Sequence, residues 1–247
     1  VYLNRVTKWR VITIKCLDDN FSYIVLNEKN NNACVIDPGE AQPIINKVRS
    51  EKINLKFILN THHHGDHVGG NLEIKKEFNC KILGSINDKN NIPGIDITLK
   101  NKELYQNEDF EFTTYFTPGH TLGHVVFYFN KQNFLFTGDT LFSLGCGRIF
   151  EGTYEQMFNS LNIIKRFSDE TIVYFGHEYT LQNSKFCARH DPENKSLKNK
   201  ILSISEKLKN NLSTTPTNLK DELECNIFLR CKNLDSFSKL RDLKDNF

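Results

Sequence analysis

The sequence predicts an α/β sandwich, two β-sheets with helices on their outer faces, followed by a small helical region. Three observations carry this expectation. Short apolar runs rich in β-branched and aromatic residues alternate with helix-spaced segments up to about residue 178. The order of runs in the first half recurs in the second. After Tyr179 the strand-like runs give way to helical spacing. At 247 residues the chain suits one large domain with an appendage, here placed at 1–178 and 179–247.

Val11 to Lys15, Tyr23 to Leu26 and Ala33 to Ile36 are separated by turn residues and predict three strands. Ile44, Ile45, Val48 and Ile53 have near-helical spacing and predict a helix after Asp37-Pro38-Gly39. Leu55 to Leu59 reads as a buried strand, Asn71 to Phe78 as a helix and Cys80 to Leu83 as another strand. In the second half the predicted strands are Phe110 to Phe116, Val125 to Phe129, Phe134 to Phe136 and Thr171 to Phe175. Between the last two lies an amphipathic helix, Thr153 to Phe167, with Met157, Leu161 and Ile164 on one face. The tail predicts helices at 180–190 and 195–210, and shorter ones at the end.

Composition excludes several classes. The 32 basic and 30 acidic residues leave a net charge of +2, too balanced for a nucleic-acid-binding stripe. No apolar run is long enough to span a bilayer, so no membrane association is expected. The 7 cysteines are scattered, without a CxxC pair, which argues against a zinc finger and for reduced thiols inside a cell. Asn- and Lys-rich clumps such as 27–32 and 87–91 read as exposed loops. No apolar stripe calls for a partner, and a monomer is expected.

The chemistry gathers in loops. Four of the chain's 8 histidines fall between positions 62 and 67, in Thr61-His62-His63-His64-Gly65-Asp66-His67. This stretch directly follows a predicted strand, and Gly65 is expected to allow a tight turn at positive φ. By itself the stretch fits either a surface tract or a metal site, because imidazole and carboxylate are common metal ligands. Three further segments favour metal. "TPGHTLGH" places His120, "FLFTGDTLF" places Asp139 and "VYFGHEYT" places His177, each a few residues past a predicted strand and beside a glycine. Strand ends along one sheet edge converge in space, where α/β folds build their sites.

The ordered set His-x-His-x-Asp-His, His, Asp, His resembles the metallo-β-lactamase superfamily, which implies a four-layer αββα sandwich with metals at one edge. "THHHGDHVGGN", "GCGRIFEGT" and "GHEYT" look like the glyoxalase II family, the hydroxyacylglutathione hydrolases. The resemblance extends from about Val11 to "NIFLR" at 226–230. It implies two divalent metal ions, zinc first, with iron or manganese as alternatives. His62, His64 and His120 would hold one, Asp66, His67 and His177 the other, with Asp139 bridging. Cations about 3.5–4 Å apart share a water and yield hydroxide at neutral pH. Asp66 would orient that hydroxide for attack on the thioester of S-D-lactoylglutathione, releasing glutathione and D-lactate. The resemblance also implies glutathione contacts at Arg148, Phe150, Tyr179, Arg230 and Lys232. Relatives often carry Lys and Tyr where Arg148 and Phe150 stand. The alternatives are another enzyme of this fold, such as an iron persulfide dioxygenase, or a non-catalytic metal-binding protein. His63 is expected to point away from the metals, and His124 and Cys146 to be structural. His190 is expected to be helix-end material.

The first ten residues, "VYLNRVTKWR", carry Arg5, Lys8 and Arg10 and no acid. Such a basic leader predicts the stub of a transit peptide for a plastid or mitochondrion, with the cytoplasm as the alternative.

Overall fold

The computed structural model describes residues 8–247. Two six-stranded sheets face each other. The first runs in chain order: β1 (Trp9–Cys16), β2 (Asn20–Asn27), β3 (Asn32–Ile36), β4 (Asn54–Asn60), β5 (Lys81–Ser85) and β6 (Ile97–Leu99). Its first three strands are antiparallel and the rest parallel. Helices α1 (Ala41–Ser50), α2 (Gly65–Val68) and α3 (Asn71–Phe78) interrupt it. The second sheet contains β7 (Glu103–Gln106), β8 (Glu111–Phe116), β9 (Val125–Phe129), β10 (Phe134–Gly138), β13 (Ile172–Phe175) and β14 (Thr217–Asn218). A hairpin, β11 (Leu141–Phe142) and β12 (Gly145–Cys146), and helix α4 (Tyr154–Ile164) lie between β10 and β13. The tail holds α5 (Thr180–His190), α6 (Lys195–Lys209), α7 (Leu219–Cys225) and α8 (Leu234–Asp245).

Alternation along the strands explains the layers. Phe21, Tyr23 and Val25 of β2 and Phe127 and Phe129 of β9 point between the sheets, joined by Phe112, Phe136 and Phe175. Ile24, Leu26 and Val35 point outward and are covered by Ile44, Ile45 and Val48 of α1 and Ile74 of α3. Strands buried on both faces read as continuous apolar runs. Each fully buried ring contributes about 1.5–3 kcal/mol, whereas an exposed ion pair such as Arg10–Glu28 gives about 0–1 kcal/mol. The aromatic layer between the sheets therefore holds the sandwich closed. The architecture is the αββα sandwich, with the helical tail packed on the second sheet.

Several local expectations need correction. Thr153 is not helical; it caps α4 in a reciprocal box with Gln156. Ile53 is buried past the end of α1, and Cys80 precedes β5. Strands β6 and β7 were not anticipated, being short and weakly apolar. The tail is not purely helical, because β14 pairs with β13. It also shares a core with the sheet: Phe186, Phe228 and Phe237 pack with Val126, Leu135 and Val173. All 7 cysteines are buried free thiols.

The organelle leader is unsupported. Residues 1–7, Arg5 among them, lie outside the described residues, whereas Lys8, Trp9 and Arg10 belong to the folded domain. Trp9 pairs with Asn27 and packs edge-on against Phe110, and Arg10 binds Glu28 and Glu51. Among the described residues no helix is long and apolar enough to cross a membrane.

Candidate metal centre

Loops leaving β4, β8, β10 and β13 converge at one edge of the sandwich. Near-parallel pairing places their ends side by side, as β10 beside β13 shows. Gly65 does not make the expected positive-φ turn; it opens α2, which carries Asp66 and His67. The close approaches need other glycines. Gly138 has φ of 46°, and a side chain there would strike Thr61 at 2.4 Å. At Gly176 a Cβ would stand 2.3 Å from the Asp139 carboxylate.

Two clusters result. His62 Nε2 and His120 Nε2 lie 3.1 and 3.0 Å from His64 Nδ1. His177 Nε2 lies 3.2 Å from His67 Nε2 and 3.3 Å from Asp66 Oδ2. Asp139 stands between them: its Oδ2 is 3.3 Å from both His120 Nε2 and His177 Nε2, and its Oδ1 is 3.4 Å from His67 Nε2. Cation–ligand bonds of about 2.0–2.1 Å at tetrahedral angles put ligand atoms about 3.3 Å apart, so these spacings fit metal coordination. Asp139 Oδ1 is buried without a hydrogen-bond partner among the described residues. A buried carboxylate oxygen left in that state is suited to receive a cation. The donor set thus fits divalent metal ions.

Electrostatics differ between the clusters. Burial, opposed in part by Asp139 and aided by neighbouring imidazoles, holds His62 well below its usual pKa and lowers His64 and His120, which favours neutral, coordinating rings. Burial also opposes charge on His67 and His177, but the adjacent Asp139 carboxylate outweighs it and raises both. Asp139 itself is held far below the carboxylate range by those two imidazoles despite its burial. In the metal-free protein, protons on His67 and His177 supply the positive charge that Asp139 requires.

The far side of each imidazole is fixed as well. Thr61 Oγ1 lies 3.0 Å from His62 Nδ1, and the Arg148 carbonyl is 2.7 Å from His120 Nδ1. Asp19 Oδ1 is 2.8 Å from His177 Nδ1, and Asp37 Oδ2 is 3.1 Å from His67 Nδ1. Asp37 also accepts from the Thr61 amide and hydroxyl, and Asn20 donates to Asp66 Oδ2 at 2.9 Å. The sequence reading missed Asp19, Asn20 and Asp37. A signal for Asp37 existed, since it follows β3 as Asp139 follows β10.

His63 turns away from the clusters, between Asp88 Oδ1 at 3.0 Å and Glu151 Oε1 at 3.2 Å. His124 is buried, stacked on His62, and accepts from the Asp139 amide at 3.1 Å. Cys146 is buried, and His190 ends α5.

A cavity of about 350 Å³ opens over the clusters, lined by Asp66, Phe142, Arg148, Phe150 and Tyr179 beside His64, His120, Asp139 and His177. Tyr179 stacks flat on His177 at 4.7 Å, and Phe150 stands edge-on to His120 at 5.2 Å. Arg230 and Lys232 are not in this wall. They line a separate crevice with His190, Ile227 and Ser236, where Arg230 is engaged by Asp191. The segment following α7 is drawn there because Phe228 is buried in the tail core. The C-terminal helix borders the cavity wall instead. Asp245 binds both Arg148 and Arg241, and Arg241 Nη1 donates to the Cys146 carbonyl at 2.8 Å. One turn on, half-buried Lys244 lies over the Phe186 and Phe247 rings.

Residues 17–177 match the metallo-β-lactamase superfamily, and residues 178–247 match the hydroxyacylglutathione hydrolase C-terminus. The hydroxyacylglutathione hydrolase of Pelagibacter ubique is 56% identical over 234 residues, covering 95% of this chain and 98% of that one. The chain belongs to the hydroxyacylglutathione hydrolase family. The family member from Methylococcus capsulatus is 40% identical, covering 89% of this chain and 86% of its own. Two solved structures share the fold at lower identity. ETHE1 from Myxococcus xanthus superposes with a TM-score of 0.72 at 21% identity, covering 95% of this chain and 89% of that one. The BLEG-1 B3 metallo-β-lactamase gives 0.71 at 22%, covering 90% and 100%. Membership makes this hydroxyacylglutathione hydrolase relative a hydrolase.

Proposed function

We propose that the chain hydrolyses S-D-lactoylglutathione and related 2-hydroxyacylglutathiones to glutathione and the free hydroxy acid. The observation that carries this reading is the placement of two ligand clusters, joined by Asp139, at the floor of a cavity walled by Arg148, Phe150 and Tyr179. His62, His64 and His120 would hold one divalent cation and Asp66, His67 and His177 the other, with Asp139 shared; zinc is the proposed metal, with iron or manganese as alternatives. When bound, these cations supply the Lewis acidity that activates water and polarises the thioester carbonyl.

The chain's own groups do the rest. Asp66 is half-exposed to the cavity, and Asn20 and His177 fix its Oδ2. Its carboxylate, which partial burial would raise but His177, His67 and Asn20 hold well below the usual range, accepts a hydrogen bond from the attacking water and aims it at the carbonyl. Arg148 offers planar donors to a glutathione carboxylate, and its pairing with Asp245 keeps the guanidinium at the rim. Tyr179 and Phe150 give the thioester an aromatic slot. A thiolate leaves readily as its anion, so no acid aimed at the leaving sulfur is required.

Turnover of S-D-lactoylglutathione, compared with thioesters lacking the glutathione carboxylates and paired with metal analysis of the same sample, tests this. Equal rates on both substrate types would refute the glutathione assignment.

A further inference from the structure

The hairpin between Asp139 and Arg148 is short. Leu141 pairs with Cys146 and Phe142 with Gly145, and Leu144 in its turn has φ of 59°, a conformation leucine disfavours. Side chains of the tail meet further groups of the turn. Glu222 Oε2 accepts from the Leu144 amide at 2.7 Å, and its Oε1 accepts from Ser143 Oγ at 3.0 Å. Asn226 Nδ2 donates to the Phe142 and Gly145 carbonyls at 3.3 and 3.1 Å. Asn183 Nδ2 donates to the Ser143 carbonyl at 3.1 Å, and Cys187 Sγ to the Leu144 carbonyl at 3.2 Å.

Glu222 is the centre of this mould. It has no exposed surface, and Lys200 Nζ at 2.9 Å, Thr217 Oγ1 at 2.7 Å and Asn226 Nδ2 at 3.2 Å fix its orientation. Burying an ion pair is a poor route to stability, because desolvation offsets the attraction. What the arrangement secures is a unique geometry for a strained turn. That geometry reaches the cavity: Phe142 lines it, edge-on to Tyr179 at 5.3 Å, and the hairpin runs straight on to Arg148.

We propose that Glu222 is a positioning residue for the wall from Phe142 to Arg148, acting through Leu144 and Ser143, and thereby sets affinity for the glutathione half of the substrate. This rests on the cavity being a glutathione-thioester site.

The test is Glu222→Gln in the full, metal-loaded chain. The amide replaces an acceptor with a donor among groups that are themselves donors. Hydrogen exchange at the Leu144 amide should quicken about tenfold or more. KM for S-D-lactoylglutathione and Kd for glutathione should each rise about tenfold, with kcat changing less than about twofold. Metal content and the rate on thioesters without glutathione carboxylates should stay as in the parent. Unchanged exchange at Leu144, or equal losses on both substrate types, would overturn the proposal. If Glu222→Gln does not fold, Ser143→Ala removes only the hydroxyl that Glu222 Oε1 holds and should show the same split more weakly; no split there overturns it too. A parent enzyme inactive on glutathione thioesters would refute the substrate reading alone, while exchange at Leu144 would still decide whether Glu222 holds the hairpin.

Discussion

The floor of the cavity and its wall from Phe142 to Phe150 border the same space but assemble differently. On the floor, His62, His64, Asp66 and His67 lie within one short stretch, and His120, Asp139 and His177 each follow a buried strand. The strands carry these side chains to one sheet edge, where Thr61, Asp37, Asp19 and the Arg148 carbonyl hold the imidazoles. On the wall, the shape of the Ser143–Cys146 hairpin depends on Asn183, Glu222, Asn226 and Arg241, residues far along the chain. The floor therefore depends on the tail less directly than the wall does, through the Arg148 carbonyl on His120 Nδ1. Metal binding and substrate affinity should come apart under mutation.

The largest expected effect is on the floor. Asp139→Ala removes the carboxylate that stands between the clusters, within 3.3 Å of His120 Nε2 and His177 Nε2 and 3.4 Å of His67 Nε2. Activity should fall below detection, with at most one metal equivalent retained on elemental analysis. Two equivalents with full turnover would mean that Asp139 does not bridge.

Acid should also act on the floor alone. In the metal-free protein His67 and His177 hold protons above the usual histidine range because Asp139 faces them. Metal must displace those protons, so the loaded state binds fewer of them and affinity rises with pH. The expected slope is up to about two decades in Kd per pH unit near neutrality, for two protons released. Calorimetric titration in buffers of different ionisation enthalpy counts those protons directly. No proton release would show that both imidazoles are already neutral.

A smaller loss should come from behind the ligands. Asp37→Asn keeps the shape and tolerates the φ of 47° at that position, but weakens the hold on His67 Nδ1. Metal affinity should drop about 10–100-fold at the cluster of Asp66, His67 and His177, with the other cluster less affected.

The difference between floor and wall also explains what could be read in the chain itself. The sandwich was legible because both sheets are covered on both faces, which leaves unbroken apolar runs such as Val125–Phe129. The convergence of the His- and Asp-bearing loops was legible because those residue types are rare and follow those runs. Asp37 sat in a Pro-Gly turn and looked like ordinary turn chemistry. Strands β6, β7 and β14 are too short to signal themselves; their partners define them. Basic residues of the tail were the hardest case. Arg230 and Arg241 are equally charged, and only packing decides which one comes to the wall.

That last distinction gives the finest test. Arg148 lines the cavity, so Arg148→Ala should raise KM for S-D-lactoylglutathione about tenfold with little change in kcat, as for a charge-assisted contact made equally in ground and transition states. Thioesters without the glutathione carboxylates should not feel it. Arg230→Ala serves as the contrast. Its guanidinium is largely exposed and is engaged by Asp191 in a different crevice, away from Arg148 and Tyr179. An exposed pair of this kind is worth about 0–1 kcal/mol, so stability should barely change. KM should shift by less than about twofold for either substrate class, within the range of an uninvolved surface charge. If Arg230→Ala instead raises KM selectively for glutathione thioesters, the tail must close over the cavity when substrate binds, and the wall extends further than Phe142 to Phe150.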